Sequence, residues 1–400
     1  MIHKSQVTKL GTFFCLYIAQ TIPMSFFSTV IPVMMRQENF SLSAIGLLQL
    51  IKLPWILKFL WSPIVDRHAV TVGDYKRWIF SSELIYAVLI FAVALLDFKT
   101  DFYMILALII LSFVASATQD IATDALAVLS FNRKDKSLVN SMQSMGSFGG
   151  TLIGSGLLLL LFRQIGWNML LPFLALFVII ALLPLAFNKR LEIIREEHYV
   201  RAKKADVLYF FTQRGIWKQI GFLLLFYSGL IGTLAMLKPY LVDLGYTMEE
   251  IGMMSGVAGT FVGFLASFLG GFVVRQLGRF RARILFASTI LLTTLYFVAL
   301  SFLQPTALLL YAAVFLLWGS YGMATIVVYT TAMDHVRPGK EGTDFTIQTV
   351  LTHLSSMLVA IGSGRIADRL GYQGLFIAES LLALLSLCYI LCMFKKDETR

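Results

Sequence analysis

Charge is scarce in this chain of 400 residues: 14% of positions are Asp, Glu, Lys or Arg, against 58% that are hydrophobic. A soluble domain of this length cannot hide so large an apolar excess in its core. Mean hydropathy is +0.78, so the solvent that suits the chain is lipid. Cysteine is scarcer still: Cys15, Cys388 and Cys392 all lie inside apolar runs, which argues against a disulfide framework or a thiolate metal site and leaves them as small packing residues. No glycine-rich loop follows a strand and opens a helix, so a nucleotide-driven pump is not supported; no cluster has metal-ligand spacing either, and no cofactor or metal is expected. The alternating segments of about ten residues that build an outer-membrane barrel are also lacking. The N-terminal residues are polar and basic, and the apolar run behind them reaches to about Met35 without a small-residue cleavage site. That reads as an uncleaved first helix, not a signal peptide.

What is present is a succession of apolar runs long enough for the ~20 residues a helix needs to cross a bilayer. Twelve are expected, at 11–35, 42–65, 78–97, 102–130, 138–162, 168–187, 215–243, 249–274, 281–303, 306–333, 343–366 and 372–394. The fold class is therefore all-α and integral to the membrane, with the lipid bilayer as its surroundings. Placing the N-terminus inside puts Arg36, Lys99, Arg163 and Arg369 outside, with Arg365 at the outer end of a span, and Lys52, Lys58 and Lys238 deeper within spans. The rest of the 33 Lys and Arg then fall on the cytoplasmic side or, as Lys218, Arg281 and Arg283 do, at the cytoplasmic ends of spans, so the positive-inside rule puts both termini in the cytoplasm. The net charge of +10 is thus topological, and no nucleic-acid partner is implied.

The longest polar stretch, "NKRLEIIREEHYVRAKKADVLYFFTQR", separates six spans from six. It sets an N-terminal bundle at 1–187, a cytoplasmic linker at 188–214 and a C-terminal bundle at 215–400. The halves echo each other. "FSLSAIG" at 40–46 parallels "YTMEEIG" at 246–252, and "IGSG" at 153–156 recurs at 361–364, followed in each case by "GW" or "GY" where another helix begins. A hydroxyl residue opens both copies of the first match, and Thr247 with Glu250 has capping-box spacing. Matches at a nearly constant offset argue for a duplicated six-helix unit, and same-direction repeats of this kind are the pattern of the major facilitator superfamily. Gly146, Gly150 and Gly154, Gly252 with Gly256, and Gly259 with Gly263 recur every fourth residue, a spacing that lets helix backbones approach. These glycine faces of the fifth and eighth helices are expected where two bundles would meet.

The loop after the second span reads "WSPIVDRHAVTVGDYKRW", with Asp66, Arg67 and Arg77 as candidate gating residues. It resembles, in lengthened form, the acidic-basic signature that facilitator-type transporters carry there, and the resemblance implies charge contacts made in one access state and broken in the other. In the corresponding loop, "GGFVVRQLGRFRARI", Arg275 stands near where the acid would be. That loop reads as positive-inside anchoring. Within the superfamily, "LPWILKFLWSPIVDR" together with "SATQDIATDALAV" resembles the branch of AmpG-type muropeptide permeases, RhtX/FptX-type siderophore importers and acetyl-coenzyme A transporters. The resemblance implies twelve helices in two pseudo-symmetric bundles, a bacterial inner (cytoplasmic) membrane and a small-molecule solute as partner, handled by a monomer.

Asp120 and Asp124 in that second motif are one helical turn apart, so they share a face of the fourth span. A carboxylate costs roughly 2.5–3.5 kcal/mol at the centre of a membrane helix, and the cheapest remedy is a cation at matched depth. Lys58 on the second span is near the depth of Asp120, with Lys52 at that span's midpoint, so a pair between Lys58 and one aspartate is expected; depth assigns that role to Asp120 and leaves Asp124 to take up a proton. Gln119 and Gln20, the latter beside Pro23 on the first helix, join them as cavity candidates. Glu83 and His353 are further polar positions inside spans. The expected activity is proton-coupled import of a bulky polar solute, a muropeptide or a ferric siderophore, by alternating access. The rivals are a membrane-embedded acyl-transfer enzyme and a transport-inactive sensor; no nucleophile with a paired base stands out in favour of the enzyme.

Overall fold

The computed structural model describes residues 4–38, 51–194 and 200–394, and among them every regular element is helical. Eight helical stretches are long and apolar enough to cross a membrane. Three of these, Lys136–Phe187, Met248–Ser301 and Glu341–Phe394, have 52, 54 and 54 residues. At 1.5 Å per residue each would measure about 80 Å if straight, far more than the ~30 Å of a bilayer core. A glycine interrupts each one, Gly166 at φ 75°, Gly278 at φ 79° and Gly371 at φ 67°, all with ψ near 180°. Only a residue without Cβ adopts that backbone readily. At Gly371 the chain turns back on itself: the Ser363 hydroxyl lies 3.0 Å from Glu379 Oε1, whereas a straight helix would hold positions so far apart in sequence about 24 Å away. The repeat that pairs "GW" with "GY" thus marks two breaks of the same backbone shape.

The elements that bear on function are α1 Lys4–Gln37, the short α2 Leu53–Leu57 and α3 Ser62–His68, α4 Val72–Ala94, α5 Phe102–Ser130, α6 Lys136–Thr151 and α7 Leu158–Ala181. After α8 Leu183–Phe187 and α9 Asp206–Tyr209 come α10 Ile216–Phe226, α11 Ser228–Asp243, α12 Met248–Ile251, α13 Thr260–Ser301, α14 Ala307–Asp334 and α15 Glu341–Phe394. Local chemistry explains several boundaries. Thr71 and Asp74 close a capping box at the start of α4, and Thr247 with Glu250 closes the expected one at α12, each satisfying amide groups that a helix start leaves bare. The "FSLSAIG" copy at 40–46 lies outside the described residues, as does the first part of the span expected at 42–65. The rest of that span is not one helix: Pro54 and Pro63 stand in the first turns of α2 and α3, and a tight 3-10 turn, Lys58–Leu60, joins the two pieces. A proline has no N–H to continue the preceding ladder, so the chain restarts at each one.

Contacts divide the chain into two compact units. The first comprises 1–132, 149–209 and 336–347, and its core is aromatic: Phe26, Phe27, Phe113 and Trp167 are buried together, with Trp167 stacked at 5.9–6.5 Å against Phe98, Phe26, Phe27 and Phe162. The second comprises 133–148, 210–335 and 348–400, cored by Phe222, Phe226, Phe286, Phe297 and Phe376.

Within the first unit, Gly150 and Gly154 face α1: a Cβ on Gly150 would lie 2.6 Å from that of Thr21, and one on Gly154 would overlap the Ile22 carbonyl. This corrects the expectation that these glycines lie where two bundles meet, because the surface they complement is a helix of their own unit. Gly252 and Gly256 meet nothing within 4 Å. In the second unit, Gly263, Ser267 and Gly271 form the small-residue face that is packed closely, with the Phe148 ring against Gly263, Ser141 Oγ donating to Ser267 O at 2.8 Å and Ser137 Oγ to Gly271 O at 2.9 Å. Replacing Gly154 by Leu should therefore destabilise the folded protein by about 1–3 kcal/mol through overpacking against α1. Gly156→Leu, at a position with open space, should leave stability unchanged. Thermal unfolding in detergent checks both.

Candidate functional site

The buried polar cluster of the first unit is assembled from three elements. On α5, Asp120 and Asp124 point the same way because they are one turn apart. On α1, Tyr17 and Gln20 are three residues apart and meet them: Gln20 Nε2 donates to Asp120 Oδ1 at 2.9 Å, and Tyr17 Oη donates to Asp124 Oδ1 at 2.8 Å. The 3-10 turn between α2 and α3 delivers Lys58, whose ammonium pairs with Asp120 Oδ2. Lys58 also sits 5.1 Å from the centroid of the Trp55 ring, a cation–π contact that shields its stem. Lys58, Asp120 and Asp124 are each no more than 3% exposed. One ammonium and two carboxyls in a dry site balance when one carboxyl holds a proton.

Other sequence candidates fall differently. Gln119 is fully buried, and neither its amide oxygen nor its nitrogen has a partner among the described residues. Glu83 on α4 is likewise fully buried with both oxygens unpartnered; one turn away, Tyr86 Oη reaches the Gln20 carbonyl at 3.5 Å. Lys52 is exposed ahead of α2, and His353 is exposed on α15, so neither joins the cluster. Tyr17 was missed by sequence reasoning, although its place three residues before Gln20 was a signal.

A second polar centre surrounds Asp66, at the end of α3. Its carboxyl caps the start of α15, accepting from Gly342 N at 3.0 Å, Thr343 N at 2.6 Å and Thr343 Oγ1 at 2.6 Å. All these residues belong to the first unit. A helix start offers bare N–H groups and the positive end of its dipole, so an acid is the fitting side chain. Beside it, Arg337 binds Asp344 through Nε at 2.8 Å and Nη2 at 2.6 Å and donates to the Asp206 carbonyl of α9 at 2.8 Å. Of the other two candidate gating residues, Arg67 is exposed and Arg77, among the described residues, pairs with Asp74 of its own helix at 3.6 Å. In the second unit, Arg275 holds Asp135 at 2.8 Å and Arg279 holds Asp334 at 2.8 Å. That loop is ion-paired and does more than anchor by positive charge.

Burial raises the pKa of Asp66 to about 7, against the pull of the Thr343 hydroxyl and with Glu341 adding to the rise; the two backbone donors lower it. An unfolded aspartate titrates near 3.9, so between about pH 4 and 7 the folded form holds the extra proton. Its contribution to stability is then greatest at low pH and falls as pH rises through that window. The stability of the parent relative to Asp66→Asn should decline by about 1 kcal/mol or more from pH 5 to 7.5 and stay level above, as read by unfolding midpoints at each pH. For the buried pair, Asp120→Asn should cost about 3–5 kcal/mol because it strands Lys58, and adding Lys58→Met should restore much of it. Unfolding of the single and double variants checks this.

Comparison with known proteins agrees with the architecture. Residues 12–360 match the family model described as Major Facilitator Superfamily. The chain is 24% identical to the putative transporter AmpG 4 of Rickettsia conorii over 97% of each sequence, and 24% identical to the anhydromuropeptide permease of Escherichia coli over 96% of this chain and 79% of that one. Among solved structures, the human organic anion transporter MFSD10 (TETRAN) superposes with a TM-score of 0.73 at 13% identity, covering 97% of this chain and 100% of that chain. A bacterial homologue of the iron transporter ferroportin does so with 0.68 at 14% identity, covering 98% and 100%. These structural likenesses speak to fold alone. With its apolar helical stretches, its all-helical fold and a family match over most of its length, this integral membrane chain is a transporter of the Major Facilitator Superfamily.

Proposed function

We propose that this chain is a proton-coupled permease that imports an anhydromuropeptide-like solute across a bacterial inner membrane. It would cross the bilayer twelve times with both termini in the cytoplasm. Counting each side of the three glycine breaks separately, together with the partly described second span, supports that number, and the echo between the halves supports two six-helix bundles that rock about a central site. The observation that carries the reading is the buried set of Lys58, Asp120 and Asp124 with Gln20 and Tyr17. A membrane helix keeps two carboxyls only where they work or are balanced, and one ammonium balances one of them. The relatives named AmpG and anhydromuropeptide permease supply the solute class.

In this mechanism Asp120 is the fixed partner of Lys58, and Gln20 holds its other oxygen. Asp124 carries the coupled proton, with the Tyr17 hydroxyl steadying the carboxyl in either state. Solute entry and proton uptake from outside precede reorientation, and release inside resets the site. The Asp66 cap on α15 is the contact made in one access state and released in the other. Asp124→Asn should therefore leave a folded protein that still binds solute but no longer concentrates it when a proton gradient is imposed. Proteoliposome uptake of anhydromuropeptides, run beside several ferric siderophores, tests both parts. Accumulation by Asp124→Asn at the parental level would remove the proton from Asp124, and uptake of siderophores alone would change the solute.

A further inference from the structure

Glu379, in the part of α15 beyond Gly371, is a carboxyl that the cluster above does not use. It is 1% exposed. Its Oε2 is buried with no hydrogen-bond partner among the described residues. Its Oε1 lies 3.0 Å from Ser363 Oγ, and Ser363 Oγ lies 2.7 Å from the Val359 carbonyl oxygen. A serine hydroxyl has one hydrogen, and a carbonyl oxygen can only accept. With that hydrogen on the shorter contact, Ser363 meets Glu379 as an acceptor: an ionised carboxylate would then face lone pairs, whereas a protonated one donates to Ser363.

The packing around this carboxyl depends on α11. Gly229 lets α11 approach the Ala383 backbone, where a Cβ would come within 2.6 Å of the Ala383 nitrogen. At Gly232, a Cβ would overlap both the Glu379 carboxyl and the Ser363 hydroxyl. The acid therefore fills the room that Gly232 leaves. The ionisable groups on the packed elements are Lys238, Tyr240 and Asp243 on α11 and, besides Glu379 itself, Glu341, Asp344, His353, Arg365, Asp368, Arg369, Tyr372, Cys388, Tyr389 and Cys392 on α15. Among the described residues none of these is ion-paired or hydrogen-bonded to Glu379, and Asp243 is taken by Tyr372 Oη at 2.6 Å. No cation is at hand to hold an ionised Glu379 in so dry a place.

We propose that Glu379 is a second proton-binding site, in which the bound proton bridges the carboxyl to Ser363 and keeps α11 seated on the last arm of α15. Loss of the proton leaves an unpaired carboxylate against Gly232 and pushes α11 off. The site lies wholly in the second unit, so it stands or falls independently of the part assigned to Asp124.

Three measurements on the full-length protein in detergent test it. The infrared band of a protonated carboxyl should be present in the parent at neutral pH and lose intensity in Glu379→Gln. An unfolded glutamate ionises near pH 4.3, so the parent should lose stability relative to the Gln variant as pH rises. Its midpoint should fall behind by about 3 °C or more at alkaline pH, with the gap closing toward pH 5. Spin labels at the exposed Val242 and Leu381 should separate at high pH in the parent and stay together in the Gln variant. If Glu379→Gln cannot be recovered, Ser363→Ala serves instead: removing the acceptor should shift the band of the parent and bring the separation of the labels to lower pH. A missing band down to pH 5, a stability gap independent of pH, or stabilisation of the parent but not the Gln variant by sodium in place of choline would each overturn the proposal. The last would make the pocket a cation site.

Discussion

Charge in a medium that cannot solvate it is the constraint on which the polar architecture of this chain depends. Lys58 and Asp120 are tolerable at 2% and 3% exposure because each is the other's counter-ion. Everything near the pair follows from that need. The second span is broken by Pro54 and Pro63 so that a 3-10 turn can present the lysine, and α1 contributes one hydrogen-bond donor to each of the two carboxyls. Asp124 is the carboxyl left over, which makes it the natural place for a mobile proton.

The same physics, with different partners, recurs elsewhere. At Asp66 the counter-charge is a helix start: three donors from Gly342 and Thr343 replace a cation. At Arg337 a bidentate grip on Asp344 is extended to the backbone of Asp206, tying α9 to the turn before α15. At Glu379 neither a cation nor a helix start is available, and a proton is the remaining neutraliser. Buried acids are thus neutralised by a cation, by a helix start or by a proton, and the handling, not the acid itself, decides which of them can change state.

Small residues do the complementary work on the apolar side. Lipid gives no hydrophobic reward for bringing helices together, so association relies on close backbone approach and interhelical hydrogen bonds. Gly150 at the end of α6 and Gly154 in the turn that follows seat that stretch on α1, Gly229 and Gly232 seat α11, and the Gly263, Ser267 and Gly271 face accepts Phe148 and two serines of α6. Small residues recur every third or fourth position on these faces, yet each faces a different kind of neighbour.

Periodicity, composition and local capping chemistry act over a few residues, and what they govern was legible in the sequence. The apolar runs, the glycines at 166 and 371 that break them, the Thr247 and Glu250 box and the one-turn spacing of Asp120 and Asp124 all belong to this class. The pairing of Lys58 with an aspartate was also legible, because two charges at one depth in a membrane have few alternatives. The reach of Tyr17 to Asp124, the helix that Gly150 and Gly154 face, and the seating of Asp66 on Gly342 and Thr343 were decided only by tertiary structure. Each of these joins positions far apart in the chain, from 107 residues for Tyr17 and Asp124 to 277 for Asp66 and Thr343. No local pattern encodes such a meeting, since it depends on how whole helices pack and on which side chains then find themselves without water.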